Sequence, residues 1–342
     1  MPDQQSYHKA FITLSVLLLC CFIINISLGS VSIPLYGVFE SVFGTPSNES
    51  WGYIIQNYRL PKAITALLVG SGLGISGLLM QTLFRNPLAG PFVLGISSGA
   101  SLGVALVVLG SGLFGGAFAV TMTSKWSVVI AASLGSFLVL LSVLIVSSRV
   151  RDTMAILIIG LMFASITGAI VGVLSYFSSA EQLQRYVFWG FGSLGNLSWQ
   201  EVGVFALIYS VGLVLSLTSI KALNTLLLGD NYAKSLGLNL KQSRLFIILA
   251  TSLLAGTITA FAGPIAFIGL AIPHLTRLVF NTSNHKILLP AVILFGSVIM
   301  LICDTIAQIP NSDYTLPINA ITSLVGAPIV IWLLVRKRNL MF

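Results

Sequence analysis

Apolar residues occur along this chain in blocks of about 20, the length a helix needs to cross a lipid bilayer. The blocks lie near 10–29, 61–84, 91–109, 127–147, 153–175, 202–220, 244–262, 287–307 and 317–335. A shorter block at 264–280 carries His274 and Arg277. Every backbone N–H and C=O in lipid must be paired within the protein, so runs of this length are expected as helices. No ten-residue alternation of apolar and polar positions supports a β-barrel.

Between two of the blocks stands RNPLAGP (Arg85–Pro91). Pro87 and Pro91 forbid one continuous helix and mark a turn. Arg85 at a helix end can extend to the interface and meet the negative end of the helix dipole. So short a connection, Arg85, Asn86 and Pro87 onward, makes the second and third spans antiparallel neighbours. Gly70, Gly74 and Gly77 line the helix before this turn, and Gly95, Gly99 and Gly103 recur at every fourth residue after it. Small residues at such spacing let helices approach closely where lipid supplies no hydrophobic drive. Gln81 lies on the first of these helices.

Composition agrees with a membrane. Of 342 residues 56% are hydrophobic and 8% charged, with mean hydropathy +1.00, against roughly 25% charged in soluble domains. The net charge of +8 does not point to nucleic acid, because the cations stand singly between apolar runs. They set orientation instead. With 264–280 counted as a tenth span, Lys9, Arg85, Arg149, Arg151, Lys221, Lys234, Lys241, Arg244, Arg277, Lys286, Arg336, Lys337 and Arg338 fall on the side of the N-terminus. Only Arg59, Lys62, Lys125 and Arg185 fall opposite. The positive-inside rule then predicts an all-α polytopic membrane protein of about ten transmembrane helices with both termini cytoplasmic. Without the short span the Arg336–Arg338 cluster would lie outside. The first apolar block is longer than the roughly 7–15 residues of a signal-peptide core, so it is expected as a retained span.

Candidate chemistry is sparse. Cys20, Cys21 and Cys303 lie in apolar runs without CxxC spacing, so no metal site or disulfide framework is expected. GISSG (Gly95–Gly99) matches G-x-S-x-G, but that pattern needs a strand-to-helix elbow and a base; here Ser97 and Ser98 fall in an expected helix, with His274 as the one intramembrane histidine available. HExxH and any Gly-Lys pair are absent, so a machine using ATP binds it on another chain. Asp304 is the one acid inside an expected span. Such a charge costs about 2.5–3.5 kcal/mol on insertion, which favours a structural or gating polar contact over a proton relay. The longest polar connection is Lys221–Arg244, where Asp230 can cap a short amphipathic helix and Gly237 can stop it.

These residues resemble a known family, the iron–siderophore and cobalamin uptake permeases of ATP-binding-cassette importers. YRLPKAITALLVGSGLGISGLLMQTLFRNPLAGPFVLGISSGASLG is similar to its RLPR, G-x-x-L-x-x-S-G-x-x-x-Q, RNPLA-x-P and LG-x-x-x-GA-x-x-G segments. LGDNYAKSLGLNL resembles its coupling loop, WGFGSLGNLSW (Trp189–Trp199) a gate-region segment, and GPIAFIGLAIPHLTRLV with HKILLP and LPINAITSLVGAPIVIWLL its C-terminal signature. The resemblance implies ten spans in a single permease domain over 1–342, with a weak internal repeat at roughly 57–175 and 240–338. It implies a bacterial cytoplasmic (inner) membrane location and a second permease subunit, identical or related. Two ATPase subunits would carry ATP and Mg, this chain holding no cofactor, metal or catalytic residue. A substrate-binding protein would deliver a metal chelate, a ferric siderophore ahead of haem or cobalamin. On the same basis Leu228, Gly229, Asp230, Ala233, Lys234, Leu236 and Gly237 belong to the ATPase-coupling loop. Arg59 and Lys62 match two basic residues that receive acidic side chains of the binding protein. Where the family pattern reads aspartate, two residues, alanine, arginine, this chain reads DTIAQ, with Gln308 in the arginine's place. One docking cation is thus missing. The alternatives are an ion-gradient-driven secondary transporter, for which SGLLMQTLFRNPL and FIGLAIPHLTRLV hint at an inverted repeat, and more remotely an intramembrane serine protease.

Overall fold

A computed structural model describes residues 4–113, 124–147, 153–195, 197–310, 312 and 314–336. Among them every regular element is helical. In chain order these are α1 (Gln4–Ser27), α2 (Leu35–Phe43), α3 (Glu49–Ile54), a π-turn Ile55–Arg59, α4 (Leu60–Phe84), a 3₁₀ turn Pro91–Leu94 and α5 (Ile96–Val108). There follow α6 (Lys125–Ser147), α7 (Thr153–Phe177), α8 (Ala180–Gly190), α9 (Trp199–Thr218), α10 (Ile220–Leu226) and α11 (Asp230–Ser235). The last are α12 (Leu240–Ala262), α13 (Ile268–Phe280), α14 (His285–Ala307) and α15 (Ile318–Arg336). Seven helical segments are long and apolar enough to cross a membrane, and Ile96–Val108, Ile268–Phe280 and Ile318–Trp332 are shorter apolar helices.

α4 is the central helix. Every residue from Val69 to Phe84 is buried, whereas α1 and α7 leave most of their large apolar side chains exposed, as lipid-facing helices do. Glycine makes the centre possible. A Cβ on Gly70 would collide with the Gly296 carbonyl oxygen of α14, and one on Gly77 with the Gly269 carbonyl oxygen of α13. At Gly74 it would come within 3.1 Å of both the Val292 oxygen and Ile272. Gly99 and Gly103 of α5 meet the Gly135 and Ala131 carbonyls of α6 in the same way. Gly95 is different from the reading above: it precedes α5 in a left-handed conformation at φ 75°. The block 91–109 is therefore a 3₁₀ turn, a glycine hinge and then a helix, because Pro91 starts a tight turn that only a positive φ can redirect.

Two runs share one order. α4 to α7 have 25, 13, 23 and 25 residues, and α12 to α15 have 23, 13, 23 and 19. Each is broken before its short helix. In the second run the break at Gly263–Phe267 includes positive φ at both Gly263 and Phe267. Backbone of this kind is tolerated at membrane depth only when its polar groups are paired. Ala266 N–H donates to Asn319 Oδ1 at 3.0 Å, and Ser193 N–H to the Ala262 carbonyl at 2.9 Å.

A prediction follows from the glycine contacts. Gly77→Leu must push α4 off the α13 backbone, an overpacking cost of about 1–3 kcal/mol or more. Gly168→Leu on α7, where a Cβ has nothing within 4 Å, should be neutral. Thermal unfolding of the detergent-purified variants checks this; equal melting temperatures would contradict close backbone packing.

Candidate functional site

The residues singled out by sequence gather at the two ends of α4. At the Arg85 end, Arg85 closes α4 in a Schellman motif: Asn86 N–H bonds the Gln81 carbonyl at 3.2 Å and Arg85 N–H bonds that of Thr82 at 3.3 Å. The left-handed position in such a motif is usually glycine, yet Arg85 occupies it at φ 45°, at a cost of about 1 kcal/mol. The side chain explains the choice. Its Nε and Nη2 donate to the Leu226 carbonyl at 3.1 and 2.8 Å, and Nη2 lies 3.4 Å from Asp230 Oδ1. The other carboxylate oxygen, Oδ2, accepts from Arg244 of α12 at 2.5 Å. Asp230 is therefore not the helix cap expected above. Gly229, at φ 107°, holds the cap position without a side-chain bond, and Asp230 is the first helical residue, its carboxylate divided between two arginines.

α11 itself is a six-residue helix between Gly229 and Gly237, both with positive φ. Ala233 is fully buried, with its N–H on the Gly229 carbonyl and its own carbonyl taken by Leu238 N–H. Around it Leu228, Tyr232 and Leu236 are 59–60% exposed, and Lys234 is exposed as well. Tyr232 was absent from the sequence reading, although its place two residues after Asp230 in a polar loop was a signal.

The same end holds a buried polar seam. Gln81 of α4 donates to the Leu270 carbonyl at 3.2 Å and accepts from Arg277 at 2.7 Å, joining α4 to α13. His274 Nε2 shares a 2.7 Å bond with the Pro87 carbonyl. His285, 1% exposed, links Thr82 of α4 to Asn224 of α10, both at 2.8 Å. His274 thus holds the RNPLAGP turn, and no histidine bonds Ser97 or Ser98 among the described residues. The protease reading has no base and no elbow strand.

At the opposite end Asp304 is 2% exposed and fully engaged. Lys62 Nζ stands 3.1 Å from Oδ1, and Oδ2 accepts from Asn25 at 2.9 Å and from Gln308 at 2.8 Å. Gln308 thus caps the buried carboxylate of Asp304 one turn earlier on the same helix. Arg59 is 9% exposed and donates to the carbonyls of Ile26 (2.7 Å), Ser27 (2.8 Å) and Val31. It fastens the end of α1 to the start of α4: the Ile26 and Ser27 carbonyls stand at the C-terminus of α1, where intrahelical donors run out, and Val31 lies in the loop that follows. Arg59, Lys62 and Gln308 line an open cavity of about 380 Å³ with Tyr58, Ser312 and Thr315. Of the cations counted for topology, Arg149, Arg151, Lys337 and Arg338 lie outside the described residues.

A central glycine helix, paired broken segments and an exposed two-glycine helix define the class: a multi-pass permease fold. Comparisons then place the chain. The FecCD transport family model matches residues 17–336, and the chain belongs to that family. The hemin transport system permease protein HmuU of Yersinia pestis is 35% identical over 324 residues, covering 94% of this chain and 95% of that protein. The vitamin B12 import system permease protein BtuC of Klebsiella pneumoniae is 36% identical over 338 residues, 98% of this chain and 96% of that one. A metal-chelate type ABC transporter solved in an inward-facing conformation superposes with TM-score 0.82 at 30% identity, covering 96% and 99% of the two chains. PsaBC from Streptococcus pneumoniae, at 17% identity and TM-score 0.53, shares the fold alone.

The two ion pairs differ in weight. Removing one partner of a buried pair strands a charge, so Lys62→Met should destabilise by about 3 kcal/mol. Adding Asp304→Asn should recover most of the loss. Thermal unfolding of single and double variants checks this, and additive losses would contradict the pairing. Asp230 and Arg85 are 43% and 39% exposed, and such pairs contribute only about 0–1 kcal/mol.

Proposed function

We propose that this chain is one half of the membrane pathway of an ATP-driven importer for a metal chelate. The observation that carries this is α11, exposed between two glycine hinges and joined by Asp230 to the ends of two central helices, in a chain that matches the permease family over nearly its full length. The three short apolar helices complete ten crossings with the seven long ones. The lysine and arginine bias then sets both termini, α11 and Arg85 in the cytoplasm of a bacterial cell, and Asp304 at the outer face. The runs α4–α7 and α12–α15 are the two copies of an internal repeat within one domain. One such chain encloses no complete pathway, so a second permease, identical or related, stands beside it.

Two ATPase subunits, carrying ATP and Mg, dock on α11 of each permease through Leu228, Tyr232 and Leu236, with Lys234 at the rim. A substrate-binding protein docks at the outer face over the cavity beside Lys62 and Gln308. Arg59 forms the wall of that cavity, and its attachment to three carbonyls keeps the rim in place. Screened charges there govern encounter more than affinity. ATP binding and hydrolysis drive alternating access. The cargo is a ferric siderophore, with haem and cobalamin as the alternatives; the hemin and vitamin B12 systems named among the relatives support the chelate class. An ion-gradient mechanism needs an acid free to exchange protons or cations; among the described residues the two acids buried in span-length helices are both engaged, Asp304 by Lys62, Asn25 and Gln308 and Glu201 by Ser198.

Gentle solubilisation from native membranes followed by mass spectrometry tests the proposal. A chain with a Walker A loop should co-purify in equal stoichiometry, together with the second permease. Recovery of the intact protein without an ATPase, even after crosslinking at Lys234, would contradict it.

A further inference from the structure

We infer that Asp230 is the positioning residue through which movement of α11 reaches the membrane domain, with Arg85 and Arg244 as its two receiving arms. The inference rests on the assignment of α11 as the ATPase-docking helix.

Among the described residues, the side-chain hydrogen bonds and ion pairs that leave α11 all run through Asp230. One oxygen faces Arg85, the last-turn cap of α4, and the other faces Arg244, in the second turn of α12. These helices pack against each other, and between them they touch the rest of the bundle's centre: α4 contacts α9, α13 and α14, and α12 contacts α5, α6 and α9. Gly229 and Gly237 both adopt positive φ values, and as glycines they are the backbone positions flanking the short helix that rotate at least steric cost. A carboxylate at the first position of a helix hinged at both ends converts rotation of that helix into displacement of the two arginines relative to each other.

The arms are unequal. Arg85 also grips the Leu226 carbonyl, so it stays attached to the loop whatever happens to Asp230. Among the described residues Arg244 has one side-chain partner, Asp230, and its Nε is buried without an acceptor. Loss of the carboxylate therefore releases the Arg244 side chain of α12 while Arg85 stays tied to the loop. Because these groups are partly exposed, the arrangement adds little to stability. The strained left-handed conformation of Arg85, where glycine would relax the turn, is kept for the connection it makes.

The test uses the whole transporter, with its ATPase, in liposomes. A background lacking Cys20, Cys21 and Cys303 carries Tyr176→Cys, at the exposed far end of α7, and maleimide labelling there is read with and without ATP and vanadate. A second background carries Leu236→Cys for crosslinking to the ATPase. Asp230→Asn should keep the crosslink yet reduce the nucleotide-dependent change in labelling, per ATP hydrolysed, by about fivefold or more. Asp230→Glu should restore it, and Arg244→Ala should reproduce the loss without adding to that of Asp230→Asn. A retained crosslink with an unchanged labelling response overturns the role of Asp230 alone. Hydrolysis and labelling falling in proportion, with the crosslink lost, shows a merely structural residue and also overturns it. Absence of the crosslink in the parent protein overturns the docking assignment and the inference together.

Discussion

Everything in this structure hangs on the direct contact of helix backbones along α4. Lipid tails are as apolar as leucine, so burying apolar side chains between helices gains little, and association depends on close van der Waals fit. Gly70, Gly74 and Gly77 provide that fit by letting α13 and α14 approach until their carbonyls lie where a Cβ would be. A helix held on this many sides cannot bend freely. It acts as a strut, and events at one end are felt at the other.

The two ends of the strut are fastened differently, and the difference follows from burial. At the Lys62 end Asp304 is sealed among Lys62, Asn25 and Gln308, where losing one partner leaves a charge without compensation. That end is a fixed joint. At the Arg85 end Asp230 sits between Arg85 and Arg244 in partial contact with water, where ion pairs exchange partners at small cost. That end is a movable joint.

Much of the fold was legible in the sequence. Seven of the ten apolar blocks are helices long and apolar enough to cross a membrane, and the other three contain shorter apolar helices. The short helix α11 was signalled by glycines at 229 and 237 around a polar stretch. The surface helices α2, α3 and α8 were not legible, because they are short and lack a bilayer-length signal. Gly95 read as one more packing glycine, whereas a turn imposed by Pro91 decides its conformation. Arg59 read as an outward cation, but carbonyls at the end of α1 draw it inward, and nothing local to position 59 records them. The Arg85–Asp230–Arg244 arrangement joins residues far apart in the chain, so only the fold reveals it. The Thr82–His285–Asn224 seam was hidden for the same reason.

The central claim, that a separate ATPase powers this chain through its cytoplasmic loop, is tested most directly by uptake into proteoliposomes. The complete complex would be reconstituted with its binding protein and a radiolabelled ferric siderophore, haem or cobalamin on the binding-protein side, with no ion gradient across the membrane. The account predicts accumulation that requires ATP on the side of α11 and persists when proton and sodium gradients are collapsed. Accumulation that needs a gradient and ignores ATP would contradict it.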